Sequence, residues 1–192
     1  MTTVNCSFAD YIAMYDNTTH SNCTFITSNK RDNTLKNKII FSKITDQDWP
    51  QIMAIEQQAY PNPWPLKIML DCQQAGYQCI KGCYESSPQT ILCYAFLMIG
   101  FEESNLLNIS VNPNYQRQSI ASQLLYRLLL ISRINHAKQM WLEVRESNQP
   151  AIAMYEKHGF RRIGLRKNYY QYTTKHGTQV KEHAILMSKS IV

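Results

Sequence analysis

NLLNISVNPNYQRQSIASQLLYRLLLISRINHAKQMWLEV (105–144) decides the fold. Its first seven residues read as a strand, and NPNYQRQS (112–119) reads as a polar loop. After the loop, Ile120, Leu124, Leu125, Leu128, Leu129 and Ile131 recur at helical spacing, marking an amphipathic helix of about 17 residues. QMWLEV (139–144) is a second strand. Two strands joined through a crossover helix lie parallel, because antiparallel neighbours need only a tight turn.

Toward the amino end, IIFSKI (39–44) is a strand. Thr45 then caps a helix, with Asp48 completing an approximate capping box and Ile44 and Trp49 placed for a hydrophobic staple. That helix carries Ile52, Ile55, Glu56 and Ala59 until PNPWP (61–65) breaks it. A second helix from Pro65 to Gln74 stops at Gly76. YQCIKGCYE (77–85), TILCYAFLMIGF (90–101) and the strand at 105–111 form a meander, with SSPQ (86–89) as its first turn. Toward the carboxyl end, NQPAIAMYEKHGF (148–160) is a short helix closed at Gly159. RIGLRKNYYQY (162–172) and EHAILMSK (182–189) are strands flanking a Lys-His-Gly turn at 175–177. The order β-α-α-β-β-β-α-β-α-β-β predicts an α/β (α+β) domain over 39–192, with a seven-stranded mixed sheet flanked by four helices. Residues 1–38 are rich in Asn and Thr and hold no hydrophobic period. They are expected to form a flexible extension, with Phe8 to Tyr15 able to make one short helix.

At 44% hydrophobic and 18% charged, the 192 residues can bury a core, which excludes wholesale disorder. No apolar run approaches the roughly 18 residues of a membrane span. The first residues have no basic region, and Asp10 and Asp16 interrupt them, so no secretory signal is read and a cytoplasmic location is expected. Cys6, Cys23, Cys72, Cys79, Cys83 and Cys93 are irregularly spaced without a CxxC pair. His20, His136, His158, His176 and His183 are scattered, so reduced structural thiols and no metal are expected. The N-x-S/T triplets at Asn5, Asn17, Asn22 and Asn108 matter only in a secreted protein. Charge is uneven: residues 1–156 hold 12 basic and 13 acidic groups, whereas 157–192 hold 8 basic groups against Glu182 alone.

Glu143 stands out within WLEV, because an acid inside an apolar strand is rarely buried unless paired or functional. Burial would raise its pKa and suit it to general-base work, while Arg145, two residues on, or another base could make it a structural ion pair. Tyr155 follows on the next helix, where an aromatic is ordinarily core, although a phenol with a pKa near 10 can also serve as a general acid. Asn148 suits the N-cap of that helix.

Three stretches resemble the GCN5-related N-acetyltransferase (GNAT) superfamily, and within it the bacterial ribosomal-protein-alanine N-acetyltransferase family. They are NISVNPNYQRQSIASQLL (108–125), WLEVRESNQPAIAMYEKHGF (141–160), and RKNYYQY (166–172) followed by EHAILM (182–187). PNPWP and the helix after it add weaker support, and the resemblance spans about residues 39–190. It implies the GNAT fold and acetyl-CoA as co-substrate, with no metal. Gln116, Arg117, Gln118, Ser119, Ile120 and Ala121 stand where the superfamily has Gln/Arg-x-x-Gly-x-Gly/Ala, and with Ser122 they would hold the pyrophosphate of coenzyme A. Ser119 replaces a glycine, which narrows the allowed dihedrals, although its hydroxyl could cap the helix or donate to phosphate. By the same resemblance, the backbone of Ile109, Ser110 and Val111 pairs with the pantetheine arm where parallel strands splay. The Val111 N–H would polarise the thioester carbonyl. Glu143 would accept the amine proton through water, Tyr155 would protonate sulfur, and Asn148 would touch coenzyme A. Trp64, Tyr169 and Tyr170 would wall the acceptor site.

An acceptor must present a neutral amine. At pH 7 about 10% of an α-amine is free base, against about 0.04% of a lysine. This favours an α-amine over a lysine or a small polyamine, and the resemblance implies the N-terminal alanine of a small-subunit ribosomal protein. A coenzyme-A-binding module without catalysis is a third reading, motivated by Ser119. The basic tail could dock nucleic acid, but its Lys and Arg alternate with apolar residues and form no block, so cofactor attraction or ribosome proximity is preferred. No nucleic-acid or membrane partner is expected, and the chain is expected to be a monomer.

Overall fold

A computed structural model describes residues 38–173 and 177–191. The segment expected as an extension, its short helix and most of the 175–177 turn therefore fall outside the described residues, as do Cys6 and Cys23.

The elements are β1 (Ile39–Lys43), α1 (Trp49–Ala59), α2 (Leu66–Gln74), β2 (Gln78–Tyr84), β3 (Ser87–Ile99), β4 (Glu103–Val111), α3 (Ile120–Ile134), β5 (Gln139–Arg145), α4 (Gln149–Lys157), β6 (Arg161–Thr173) and β7 (Gln179–Ser190). The seven strands form one sheet in the order β1-β2-β3-β4-β5-β7-β6. Only β4 and β5 pair in parallel, and the other neighbours are antiparallel. The mixed sheet with four flanking helices matches the expectation from the sequence.

Each face of the sheet has its own core. Leu124, Leu125 and Leu128 of α3 pack with Ile152 and Tyr155 of α4 over Leu106, Met140, Leu142 and Val144. On the opposite face, Ile52 and Ile55 of α1 and Met69 of α2 cover Cys79, Tyr94 and Phe96. Ile44 and Trp49 are buried together in that second core, as a staple requires. Asp48 accepts from the Thr45 N–H (2.7 Å) and its hydroxyl (2.8 Å), although it does so on a 3-10 turn ahead of α1.

Several boundaries differ from expectation. The turn expected at 86–89 tightens, because Tyr84 pairs directly with Ser87 and the strand begins there. Pro88 is tolerated because it lies at the exposed end of the hairpin. The helix within 148–160 runs from Gln149 to Lys157, and Gly159, at φ +84°, closes it as expected and carries the chain into β6. Cys72, Cys79, Cys83 and Cys93 are buried free thiols, and burial pushes Cys79 and Cys93 up to about 12. Among the described residues no helix is long and apolar enough to cross a membrane, and no three His, Cys, Asp or Glu side chains gather as metal ligands.

Candidate active site

The site begins where the parallel pair comes apart. β4 and β5 are matched only from Glu103↔Gln139 to Leu106↔Leu142. Beyond that point β4 stays with β3 as far as Val111, and β5 stays with β7 as far as Arg145, so their facing edges diverge. A bulge marks the divergence: Phe96 faces Asn108 and Leu97 faces Leu106, which leaves Leu107 without a partner. One extra residue shifts the alternation and sharpens the local bend. Edges without a strand partner present N–H and C=O groups that must find other partners, and an amide-bearing ligand supplies them.

A cavity of about 440 Å³ opens on one side of this divergence. Its lining includes Trp64, Leu107, Trp141, Glu143, Arg166, Tyr169 and Tyr170. Glu143 therefore joins the three residues expected to wall the acceptor. Tyr169 and Tyr170 are consecutive, and on a regular strand they would face opposite sides. A register shift between Arg166 and Tyr170, with Asn168 at φ 56°, brings both to the cavity with their rings 5.1 Å apart. Burial and the Glu143 charge push the Tyr170 phenol up to about 12.

Glu143 is less enclosed than WLEV suggests. It lies on the half-exposed face of β5, with 27% of its side chain accessible, and pairs with Arg166 at 2.9 Å. Arg145 is not its partner. That guanidinium binds Glu182 at 3.0 Å and stacks 4.1 Å over Tyr170. Arg166, from the basic tail, lines the cavity.

Tyr155 occupies the other side of the sheet. It is 4% exposed, packs against Phe160 at 5.6 Å and belongs to the α3–α4 core. Burial pushes its phenol well above the ordinary tyrosine value. Such a phenol stays protonated and is suited to donating a hydrogen bond.

The loop before α3 fits a pyrophosphate. α3 has no acid in its first turn, and its leading amides receive no side-chain cap. Those orphan N–H groups and the helix dipole form an anion site. Arg117 and Ser119 adopt φ 64° and φ 60°, conformations natural to glycine, and the Ser119 hydroxyl does not make the cap expected of it. Tyr84 donates to Gln118 at 3.0 Å, and Gln116 donates to the Val111 carbonyl at 3.4 Å. Asn148 caps α4, with its side-chain oxygen accepting from the Ala151 N–H at 3.3 Å.

A buried network behind the cavity escaped the sequence reading. Glu56, 1% exposed, accepts from the Trp64 N–H (2.8 Å), from the Tyr94 hydroxyl and from Asn108. Tyr60 donates to the Ile109 carbonyl at 2.7 Å, on the half of β4 that has no β5 partner. A carbonyl has two lone pairs, so this phenol leaves Ile109 able to accept once more. Glu56 could have been found at helical spacing, four residues after the apolar Ile52 on its face of α1.

Residues 49–160 match the acetyltransferase (GNAT) family. The chain belongs to this family. It is 33% identical over 150 residues to the ribosomal protein bS18-alanine N-acetyltransferase of Salmonella typhimurium, which covers 78% of this chain and 96% of that protein. The Haemophilus ducreyi protein of the same name is 35% identical over 127 residues, 66% of this chain and 86% of its own. The crystal structure of the Escherichia coli ribosomal-protein-S18-alanine N-acetyltransferase superposes with a TM-score of 0.70 at 33% identity, covering 80% of this chain and 94% of that one. A GNAT acetyltransferase of Elizabethkingia anophelis, solved with acetyl-CoA bound, shares the fold at a TM-score of 0.63 and 22% identity, covering 79% of this chain and 97% of its own. GNAT acetyltransferases use acetyl-CoA, and the opening between β4 and β5 has the unpaired backbone that its amide arm requires.

Proposed function

We propose that this GNAT chain is an acetyl-CoA-dependent N-terminal acetyltransferase whose acceptor is the N-terminal alanine of a small-subunit ribosomal protein. The observation that carries the reading is the opening between β4 and β5, with Glu143 on its cavity side and Tyr155 on the other. An amine and a thioester can then meet from opposite faces in one ternary complex. The reading is supported by identities of 33–35% to relatives that carry this activity in their names.

In this reading Gln116 to Ser122 and the backbone of Ile109, Ser110 and Val111 hold coenzyme A, and the Asn148 amide adds a contact. Acetyl-CoA supplies the activated acyl group. Trp64, Tyr169 and Tyr170 wall the acceptor. Glu143, as carboxylate, takes the proton that the amine sheds, directly or through one water, as nitrogen bonds to the acetyl carbon and the carbon–sulfur bond breaks. Tyr155 donates a hydrogen bond to the leaving sulfur, which takes its proton from water. Residues 39–192 form the catalytic unit, acting as a monomer in the cytoplasm.

The test is incubation with acetyl-CoA and a panel of free-N-terminus peptides, with α-amines and lysines read separately by mass spectrometry. Acetylation at the α-amine of alanine-led peptides is expected. Modification confined to lysines or small polyamines overturns the reading.

A further inference from the structure

The cavity continues past the reacting end. From Glu143 its floor runs down the paired half of β4 and β5, over Trp141 and Asn105, to Glu103. Glu103 is level with Gln139 in the parallel register, four residues below Glu143, or about 13 Å at 3.3 Å per residue. An extended peptide advances at about the same rate. With its α-amine at Glu143, its third to fifth residues would reach the Glu103 end.

Charge distinguishes that end. Of the three charged residues lining the cavity, Glu143 and Arg166 neutralise each other at 2.9 Å. The neighbouring Glu102 is taken by Lys138. Glu103 is exposed, and among the described residues its carboxylate has no hydrogen-bond or ion-pair partner. The Trp141 ring beside it supplies an aromatic surface, and Phe101, 92% exposed, stands on the turn just outside. An unpaired carboxylate next to an indole suits a guanidinium or ammonium, which gains both Coulomb and cation–π attraction.

Building on the proposed α-amine acetylation, we propose that Glu103 and Trp141 form a specificity subsite for a basic side chain at the third to fifth position of the acceptor. The acceptor class is then an alanine-led peptide with an early arginine or lysine.

Two measurements test this on the full chain. The first compares kcat and KM for alanine-led peptides of otherwise neutral sequence carrying Arg, Gln or Glu at positions 3 to 5. The wild type is expected to show a KM about 5- to 10-fold lower for the Arg series than for the Gln series, with similar kcat and a difference that shrinks as salt rises. Glu103→Gln is expected to erase the preference and Glu103→Lys to turn it toward the Glu series. The second measures binding of the same peptides by calorimetry without acetyl-CoA, and the same order is expected. Equal binding of the Arg and Gln series by the wild type, or a preference that survives in Glu103→Lys, overturns the subsite. Absence of α-amine acetylation on every peptide overturns the proposed function, while the calorimetric order still decides the subsite.

Discussion

Glu143 and Glu56 serve the same side of the sheet in opposite surroundings. Glu56 is closed in, 1% exposed, and receives donors from Trp64, Tyr94 and Asn108. Glu143 faces an open cavity, where it pairs with Arg166, itself about half exposed, and is hydrogen-bonded by Tyr169. A carboxylate satisfied on every side is committed to structure, because taking a proton would disturb several buried donors at once. A carboxylate whose partners are themselves solvent-accessible can exchange them at little structural cost. Enclosure therefore marks the structural acid here, while openness leaves Glu143, the acid proposed for the chemistry, accessible.

Separating the two functions in variants is the strongest way to break this contrast. Glu143→Gln is expected to lower kcat by about 10²- to 10³-fold, or roughly 3–4 kcal/mol. Its melting temperature is expected to move by less than about 2 °C, since a half-exposed ion pair contributes little to stability. Steady-state kinetics and thermal unfolding on one preparation check both halves. Unchanged turnover removes Glu143 from the chemistry.

Glu56→Ala is expected to do the reverse. Leaving the Tyr94 hydroxyl and the Trp64 N–H without their acceptor costs about 3 kcal/mol of stability, measurable by urea denaturation. The Trp64 loop loses its tie to α1, so the remaining activity should show a raised KM for peptide more than a lowered kcat. A Glu56→Ala protein of normal stability with abolished kcat would reverse the two roles.

The same contrast shows what a linear reading captures. Element order follows from hydrophobic periods of 2 and 3.6 and from Gly and Pro punctuation, which is why α3 and the seven strands are legible. So is the convergence of Trp64, Glu143, Tyr169 and Tyr170, although only through family resemblance. Nothing in the periods reveals the unpaired Leu107 or the positive φ of Asn168, because one inserted residue in a strand costs no hydrophobicity. Yet those two irregularities help to open the sheet and turn Tyr169 and Tyr170 to one side. The burial of Glu56 leaves one trace, its place four residues after Ile52 on the apolar face of α1, while the loop and β4 that close over it are distant in sequence.

Tyr155 extends the contrast to the far face of the sheet. Its phenol is enclosed like Glu56, yet the proposed chemistry asks it to donate. Because burial raises its pKa, its contribution is expected to be one hydrogen bond and not a full proton transfer. Tyr155→Phe should therefore lower kcat by about 10-fold, roughly 1.4 kcal/mol, without the steeper loss of a missing acid. A loss as large as that of Glu143→Gln would show that the enclosed phenol gives up its proton after all.

The smallest effect is expected at Ser119, where enclosure is by backbone geometry. Its φ of 60° costs a side-chain-bearing residue about 1–2 kcal/mol, and its hydroxyl recovers none of this by capping α3. Ser119→Gly removes that strain but adds chain entropy to the unfolded state, for a net gain of roughly 0.5–1 kcal/mol. The urea midpoint should rise accordingly. If the Cβ also crowds the phosphate approach, coenzyme A should bind the variant several-fold more tightly, a difference calorimetry can resolve. Stability and affinity need not move together, and their separation is informative. A gain in stability alone would mean that Ser119 is strained but faces away from the phosphates. A loss of affinity would mean that its hydroxyl, which makes no helix cap, is instead a phosphate donor that the glycine-bearing pattern lacks.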